Sequence, residues 1–246
     1  MFYGDTGATD LSNFDLVFRW DDRTSPDIPI SHKAESEGAW DPDVSFGSGR
    51  FLVAWEERVG NPFGEDWPDY MERSIYSCIH GRTYNSDGGD PYPDPNSDTD
   101  IDISPAGDFT YHAENPSIAF GGSKFLVTWE ENPATILGRF EADIKGAFVS
   151  TGGSVTQLST ICSADDLQSD PCVAFDSGKF LVVWEDRRIA ANYDVWGRFV
   201  STSGTMGSEF RITSSADYEG EPWVCGGDGF FLVVSVSYTH LTLPTN

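Results

Sequence analysis

The stretch DPCVAFDSGKFLVVWED (170–186) has two ungapped counterparts, DPDVSFGSGRFLVAWEE (41–57) and NPSIAFGGSKFLVTWEE (115–131). A fourth segment, EPWVCGGDGFFLVV (221–234), continues the series. In each, a Pro stands nine residues before a Phe-Leu-Val: Pro42 and Phe51, Pro116 and Phe125, Pro171 and Phe180, Pro222 and Phe231. The chain is therefore an internal repeat, and the pitch between the Phe positions is 74, then 55, then 51 residues.

A second block follows the first three segments: HGRTYNSDGG (80–89), KGAFVSTGGS (145–154) and WGRFVSTSGT (196–205). Short alternating stretches come next, at Ile101–Ile103, Val155–Leu158 and Phe210–Ile212. Each unit thus holds four apolar runs, which in the best-preserved unit are 171–175, 180–185, 194–200 and 208–213. The runs are rich in Val, Phe, Trp and Thr and are separated by Gly, Ser and Asp turns, so they predict strands. The second run is apolar on both pleat faces and has to be covered on both sides. Four antiparallel strands at a pitch near 50 residues predict one blade of a β-propeller, an all-β fold in which stacked blades cover both faces of each sheet. A row of small β-sandwiches is the competing architecture, but each would need about seven strands.

The expected organisation is an N-terminal segment (1–14), a half-blade (15–40), complete blades at 41–114, 115–169 and 170–220, and a half-blade (221–234). DLVFRWDD (15–22) and IPIS (28–31) read as the second half of a blade without its first half. The expectation is an arc of a larger propeller with further repeats or domains. A four-bladed ring closed by both termini is the formal alternative. At Ser235 the repeat expects Trp, and the tail VSYTHLTLPTN has no counterpart in the other blades. That tail resembles translated adapter read-through, which implies that 235–246 is not native sequence.

The repeat, with FLVVWEDRR (180–188), DVWGRFVSTSG (194–204) and SEFRITS (208–214), resembles FLVVWED-type arrays of large secreted or surface proteins of bacteria and archaea. The resemblance covers residues 15 to about 234 and implies a propeller that serves as a binding or adhesion scaffold.

The formal charge is −25, and the acid excess is mostly Asp. Such a surface disfavours nucleic acid and anionic lipid as partners and leaves cations open. No apolar run is long enough to insert into a membrane. No signal peptide is visible, and the expected location is extracellular or at the cell surface. Cys78, Cys162, Cys172 and Cys225 lack zinc-ligand spacing. Cys162 and Cys172 either bridge one loop or are buried thiols.

Four constellations carry candidate chemistry. The acidic pair after each Trp (Glu56-Glu57, Glu130-Glu131, Glu185-Asp186) suits glycoside hydrolysis, which needs two carboxyl groups. A catalytic group is needed only once, however, so recurrence favours a structural pair, with cross-strand partners in Arg82 and Arg198. The residue before each repeated Pro (Asp41, Asn115, Asp170, Glu221) is expected at the start of the innermost strand, at the channel mouth. It serves there either as an Asx-type turn or in a cation-binding ring. In DPYPDPNSDTDID (90–102), Asp94, Asn96, Asp98, Asp100 and Asp102 recur at every second residue, the oxygen-rich spacing of calcium loops, or else form a solvated acidic loop. The insertion VGNPFGEDWPDYMERS (59–74) offers Phe63, Trp67 and Tyr70 beside Asp66 and Asp69, either for a glycan or protein ligand or as a local hydrophobic plug.

The main expectation is a non-enzymatic extracellular scaffold that binds a glycan or protein, with Ca2+ holding loops in place. One alternative is a propeller hydrolase or lyase of polysaccharide, drawing on Asp66, Asp69, His80 or His112. The other is a purely structural module. Asp-box, GxSxG and HExxH motifs are absent.

Overall fold

The computed structural model describes residues 17–18, 28–29, 36–59, 76–86, 100–105, 111–133, 141–189, 192–215 and 217–238. Among them there is no helix, and every sheet is antiparallel. A two-stranded sheet, β1 (Val17–Phe18) and β2 (Ile28–Pro29), comes first. Three four-stranded sheets follow, each ordered sequentially. The first blade holds β3 (Ser36–Gly47), β4 (Arg50–Val59), β5 (Tyr76–Asn85) and β6 (Ile101–Asp102). The second holds β7 (Tyr111–Gly121), β8 (Lys124–Pro133), β9 (Asp143–Ser150) and β10 (Val155–Gln157). The third holds β11 (Gln168–Asp176), β12 (Lys179–Asp186), β13 (Asp194–Ser201) and β14 (Met206–Arg211). The half-blade β15 (Tyr218–Gly227) and β16 (Phe230–Tyr238) ends the series. In it, Ser235–Tyr238 continue β16 and pair back as far as Tyr218.

The hairpin between the first two strands of every blade turns on two residues with positive φ: Ser48-Gly49, Gly122-Ser123, Ser177-Gly178 and Asp228-Gly229. That pair of left-handed residues defines the tight turn whose twist matches the flanking strands.

The doubly apolar second strands β8 and β12 are covered on both faces by neighbouring blades. Trp55, Trp129 and Trp184 are fully buried. One core cluster joins Leu52 and Ala54 of the first blade to Ile118 and Phe125 of the second. Another joins Leu126 and Phe148 to Val173 and Phe180 of the third, and a third joins Val183 and Leu181 to Val224. Each fully buried Leu, Val, Ile or Phe contributes roughly 1.5–3 kcal/mol, so the blade-to-blade contacts carry much of the stability.

Two devices recur at these contacts. The first is steric. Gly47 lies under the ring of Phe120 and Gly121 under Phe175, where a Cβ would come within 2.0 Å of the ring carbons. At the next junction the pair is exchanged. Asp176 stands at the glycine position and Gly226 at the phenylalanine position, so the Asp176 Cβ fills the space a ring would need. The second device is polar. The residue after each Pro accepts a backbone N–H from the next blade: Asp43 from Ile118 (2.7 Å), Ser117 from Val173 (3.2 Å) and Cys172 from Val224 (3.4 Å).

All four cysteines are free thiols. Burial raises the thiol of Cys172, and it pushes that of Cys162 to about 12. Among the described residues, no helix is long and apolar enough to cross a membrane.

Candidate active site

The innermost strands β3, β7, β11 and β15 begin several residues before the repeated Pro, rather than at it. The ladder slips at the same place in each: between Trp40 and Asp43, Glu114 and Ser117, Ser169 and Cys172, and Gly220 and Trp223. Pro has no N–H to give the ladder, and it bars the preceding residue from the right-handed helical region. Asp41, Asn115, Asp170 and Glu221, each just before the Pro, take positive φ of 44°, 53°, 49° and 50° rather than the extended conformation usual there. This is a bulge with its residue in the left-handed region, and it corrects the expectation of an Asx turn at the strand start. A non-glycine residue held there costs about 1–2 kcal/mol, and strain of this kind concentrates at functional sites.

The four bulges face a common cavity of about 480 Å³, walled by residues 41–43, 115–117, 170–172 and 221–223. Asp41, Asp170 and Glu221 are exposed to it. Asn115 Nδ2 donates to Asp170 Oδ1 at 3.5 Å. Behind the ring, the first acids of the second and third pairs grip the next blade. Glu130 accepts the backbone N–H of Asp170 at 3.1 Å, and Glu185 accepts that of Glu221. Tyr218 also donates to Glu185, at 3.1 Å.

These carboxylates crowd Asp170. Partial burial, and then the charges of Glu130, Glu185 and Glu221, raise its pKa to about 6. Glu185 is raised too, chiefly by burial, against the N–H of Glu221 and the Tyr218 hydroxyl. Burial likewise raises Asp43, although the N–H groups of Ile118 and Val44 bond to it. The result is a cavity lined by several carboxyl groups, one of which holds its proton close to neutrality.

The second acid of each pair has a structural role in its own blade. Asp186 and Glu57 accept the indole N–H of Trp184 (2.8 Å) and Trp55 (3.3 Å). Each also meets a cation: Glu57 meets His80 (3.0 Å), Glu131 meets Lys145 (3.4 Å), and Asp186 meets Arg188. Arg82 and Arg198 are not those cations, because register places them opposite Val53 and Val182. Arg82 pairs instead with Asp100, and Arg198 reaches Glu209 at 3.5 Å.

Of the alternating oxygen ligands, Asp94, Asn96 and Asp98 lie outside the described residues, as do Phe63, Asp66, Trp67, Asp69 and Tyr70. Asp100 is bound by Arg82, and Asp102 lies 3.5 Å from His80 Nε2. His80 is buried inside the first blade among Glu57, Asp100 and Asp102 and does not line the mouth. His112 lies in β7 opposite Asn132.

No protein-family model matches the chain, and no curated protein matches it. Solved structures do. The α-L-arabinofuranosidase of Lactobacillus brevis aligns with a TM-score of 0.52 at 14% identity, over 89% of this chain and 74% of that one. A family 117 glycoside hydrolase of Zobellia galactanivorans aligns at 0.53 and 12%, over 80% and 66%. The α-L-arabinanase of Penicillium chrysogenum, complexed with arabinobiose, aligns at 0.50 and 12%, over 92% and 64%. The fold is thus a β-propeller, which these enzymes share. This finding corrects the expectation of a non-enzymatic scaffold. Recurrence weighs against a catalytic role for the acidic pairs, but the pre-proline position changes from blade to blade as Asp, Asn, Asp and Glu.

Proposed function

We propose that the chain is a propeller-type glycoside hydrolase that cleaves a polysaccharide at the cavity between the innermost strands. The observation that carries this reading is Asp170, a carboxyl group raised to about 6 in a mouth that also presents Asp41 and Glu221. Glycoside hydrolysis needs one carboxylic acid to protonate the leaving oxygen and a second, ionised carboxylate to activate water or attack carbon. Divergent environments within one site assign those two roles. Asp170 is the acid. Asp41, two blades away around the mouth, is the partner carboxylate. Asn115 steadies the acid from the blade between them.

The solved counterparts are an arabinofuranosidase, an arabinanase, a β-fructofuranosidase and a xylosidase, so arabinan, fructan and xylan are the first substrates to examine. A polymeric substrate and an acidic surface suit action outside the cell. The test is release of reducing ends from these polymers. Asp170→Asn and Asp41→Asn are each expected to lower the rate at least 100-fold with the fold intact, the usual range for a lost acid or base. Unchanged rates in both variants would refute the assignment.

A further inference from the structure

The first blade departs from the other two in what meets the second acid after its Trp. Register sets His80, Lys145 and Trp196 at one position, each opposite the Trp of its own blade: Trp55, Trp129 and Trp184. In the second blade Lys145 Nζ lies 3.4 Å from Glu131 and 3.0 Å from Asp143. In the third, Arg188 bonds Asp186 and reaches Glu209 at 2.6 Å. Both acids thus meet a cation that keeps its charge at neutral pH. The first blade puts an imidazole at that place instead, and brings two further carboxylates to it, Asp100 and Asp102.

His80 Nδ1 stands 3.0 Å from Glu57 Oε2 and 3.9 Å from Asp100 Oδ2. One ligand atom from each of the three residues lies within 4.8 Å of the other two. Atoms bound to a single zinc ion at about 2.0–2.2 Å are about 3–4 Å apart, so small side-chain shifts bring all three onto one ion. All three are buried: Glu57 is 1% exposed, His80 3%, and the Asp100 side chain 2%. Charges buried this deeply are paired or coordinate metals. Supporting partners are also in place. Asp102 Oδ1 lies 3.5 Å from the other ring nitrogen of His80, Arg82 binds Asp100 Oδ1, and the Trp55 indole donates to Glu57 at 3.3 Å. A metal-bound His ordinarily gives its second ring N–H to a carboxylate, and ligating carboxylates are themselves hydrogen-bonded. Among the described residues, the carboxylates of Glu57, Asp100 and Asp102 outnumber the Arg82 guanidinium, and a divalent ion beside a neutral imidazole balances them.

The geometry points to a divalent transition-metal site of the zinc class inside the first blade, with His80 Nδ1, Glu57 and Asp100 as ligands and Asp102 as the carboxylate that orients His80. One imidazole with two carboxylates suits zinc, whereas calcium takes six to eight oxygens. In the metal-free chain a proton on His80 occupies the ion's place, so metal and proton compete. The ligands come from β4, from β5 and from the residue before β6. β6 has two residues, against three in β10 and six in β14, and it pairs with β5 at His80–Asp102 and Gly81–Ile101. The ion therefore fastens the outer strand that has the shortest ladder of its own.

The experiment is calorimetric titration of the full chain with Zn2+ at pH 8, after a chelator has removed bound metal. The chain is expected to take up about one equivalent with a Kd at or below about 1 μM. Its melting temperature should rise by several degrees on binding, because the ion holds the folded state. His80→Gln is expected to abolish the uptake. Asp102→Asn alters the orienting carboxylate, whose side chain is 55% exposed, and is expected to weaken binding about 10- to 100-fold with circular dichroism unchanged. Should His80→Gln fail to fold, Asp102→Asn decides by itself. A folded wild type that takes up no Zn2+ overturns the inference. So does uptake that either folded variant leaves unchanged, which would put the ion elsewhere, and so does tighter binding of Ca2+ than of Zn2+.

Discussion

Asp170 owes its chemistry to its neighbours. Its backbone N–H is held by Glu130, its side chain meets Asn115, and nearby carboxylates oppose its ionisation. If it is the proton donor, kcat/KM falls as pH climbs past about 6, and Asp170→Asn removes that limb of the profile. Stability should move in the same sense. The folded state holds this proton up to about pH 6 and the unfolded chain only to about 3.8, so stability falls as pH rises through that window. Thermal melts of Asp170→Asn between pH 4 and 7 should lose this component. His80 also holds its proton, but there the charged form is the one favoured. Burial alone would lower its pKa, but bonds to Asp100, Cys78 and Glu57 outweigh that and hold it well above the usual 6.5. Its contribution is complete below about 6.5 and disappears as pH rises through the folded value. His80→Gln should therefore lower the melting temperature at pH 6 by several degrees and by less at pH 9. An equal loss at both pH values would count against a charged His80.

At the level of elements, the exchanged pair at the third junction isolates how blades fit. Gly226→Phe places a ring against the Asp176 Cβ and should cost about 1–3 kcal/mol, the range for overpacking. Adding Asp176→Gly restores the arrangement seen at Gly47 and Gly121, so the double variant should recover most of the loss in chemical denaturation. Additive losses would show that the junction does not work this way. Much of this level was legible in the sequence. Strand number, hairpin turns and the doubly covered second strand follow from composition and period, which are local. Register is less so. Arg82 and Arg198 were expected beside the acidic pair, because a cation on a neighbouring strand looks like a partner. The ladder instead places them opposite Val53 and Val182, and Arg188, just past the end of its strand, does the pairing. The bulge was signalled only by the Pro, because a left-handed residue at a strand slip has no composition of its own when Asp, Asn and Glu all adopt it.

At the scale of the whole molecule, the candidate site exists only because four blades converge. Asp41, Asn115, Asp170 and Glu221 are about 50 to 75 residues apart in the chain, yet they wall one cavity. The sequence names this ring, but the function it suggests depends on how the blades stack. Repetition makes the acidic residues look structural, and the acids behind each Trp do hold indole, cation and backbone partners. For the pre-proline ring the same repetition is what gathers dissimilar carboxyl groups at one mouth, which is how a fold built from copies acquires a site used once. The most direct test is product analysis by mass spectrometry after digesting arabinan, fructan and xylan in 18O-labelled water. The account predicts oligosaccharides that carry one 18O at the new reducing end from at least one polymer, and none from Asp170→Asn. Intact polymer from all three, or unsaturated products without the label, would contradict it.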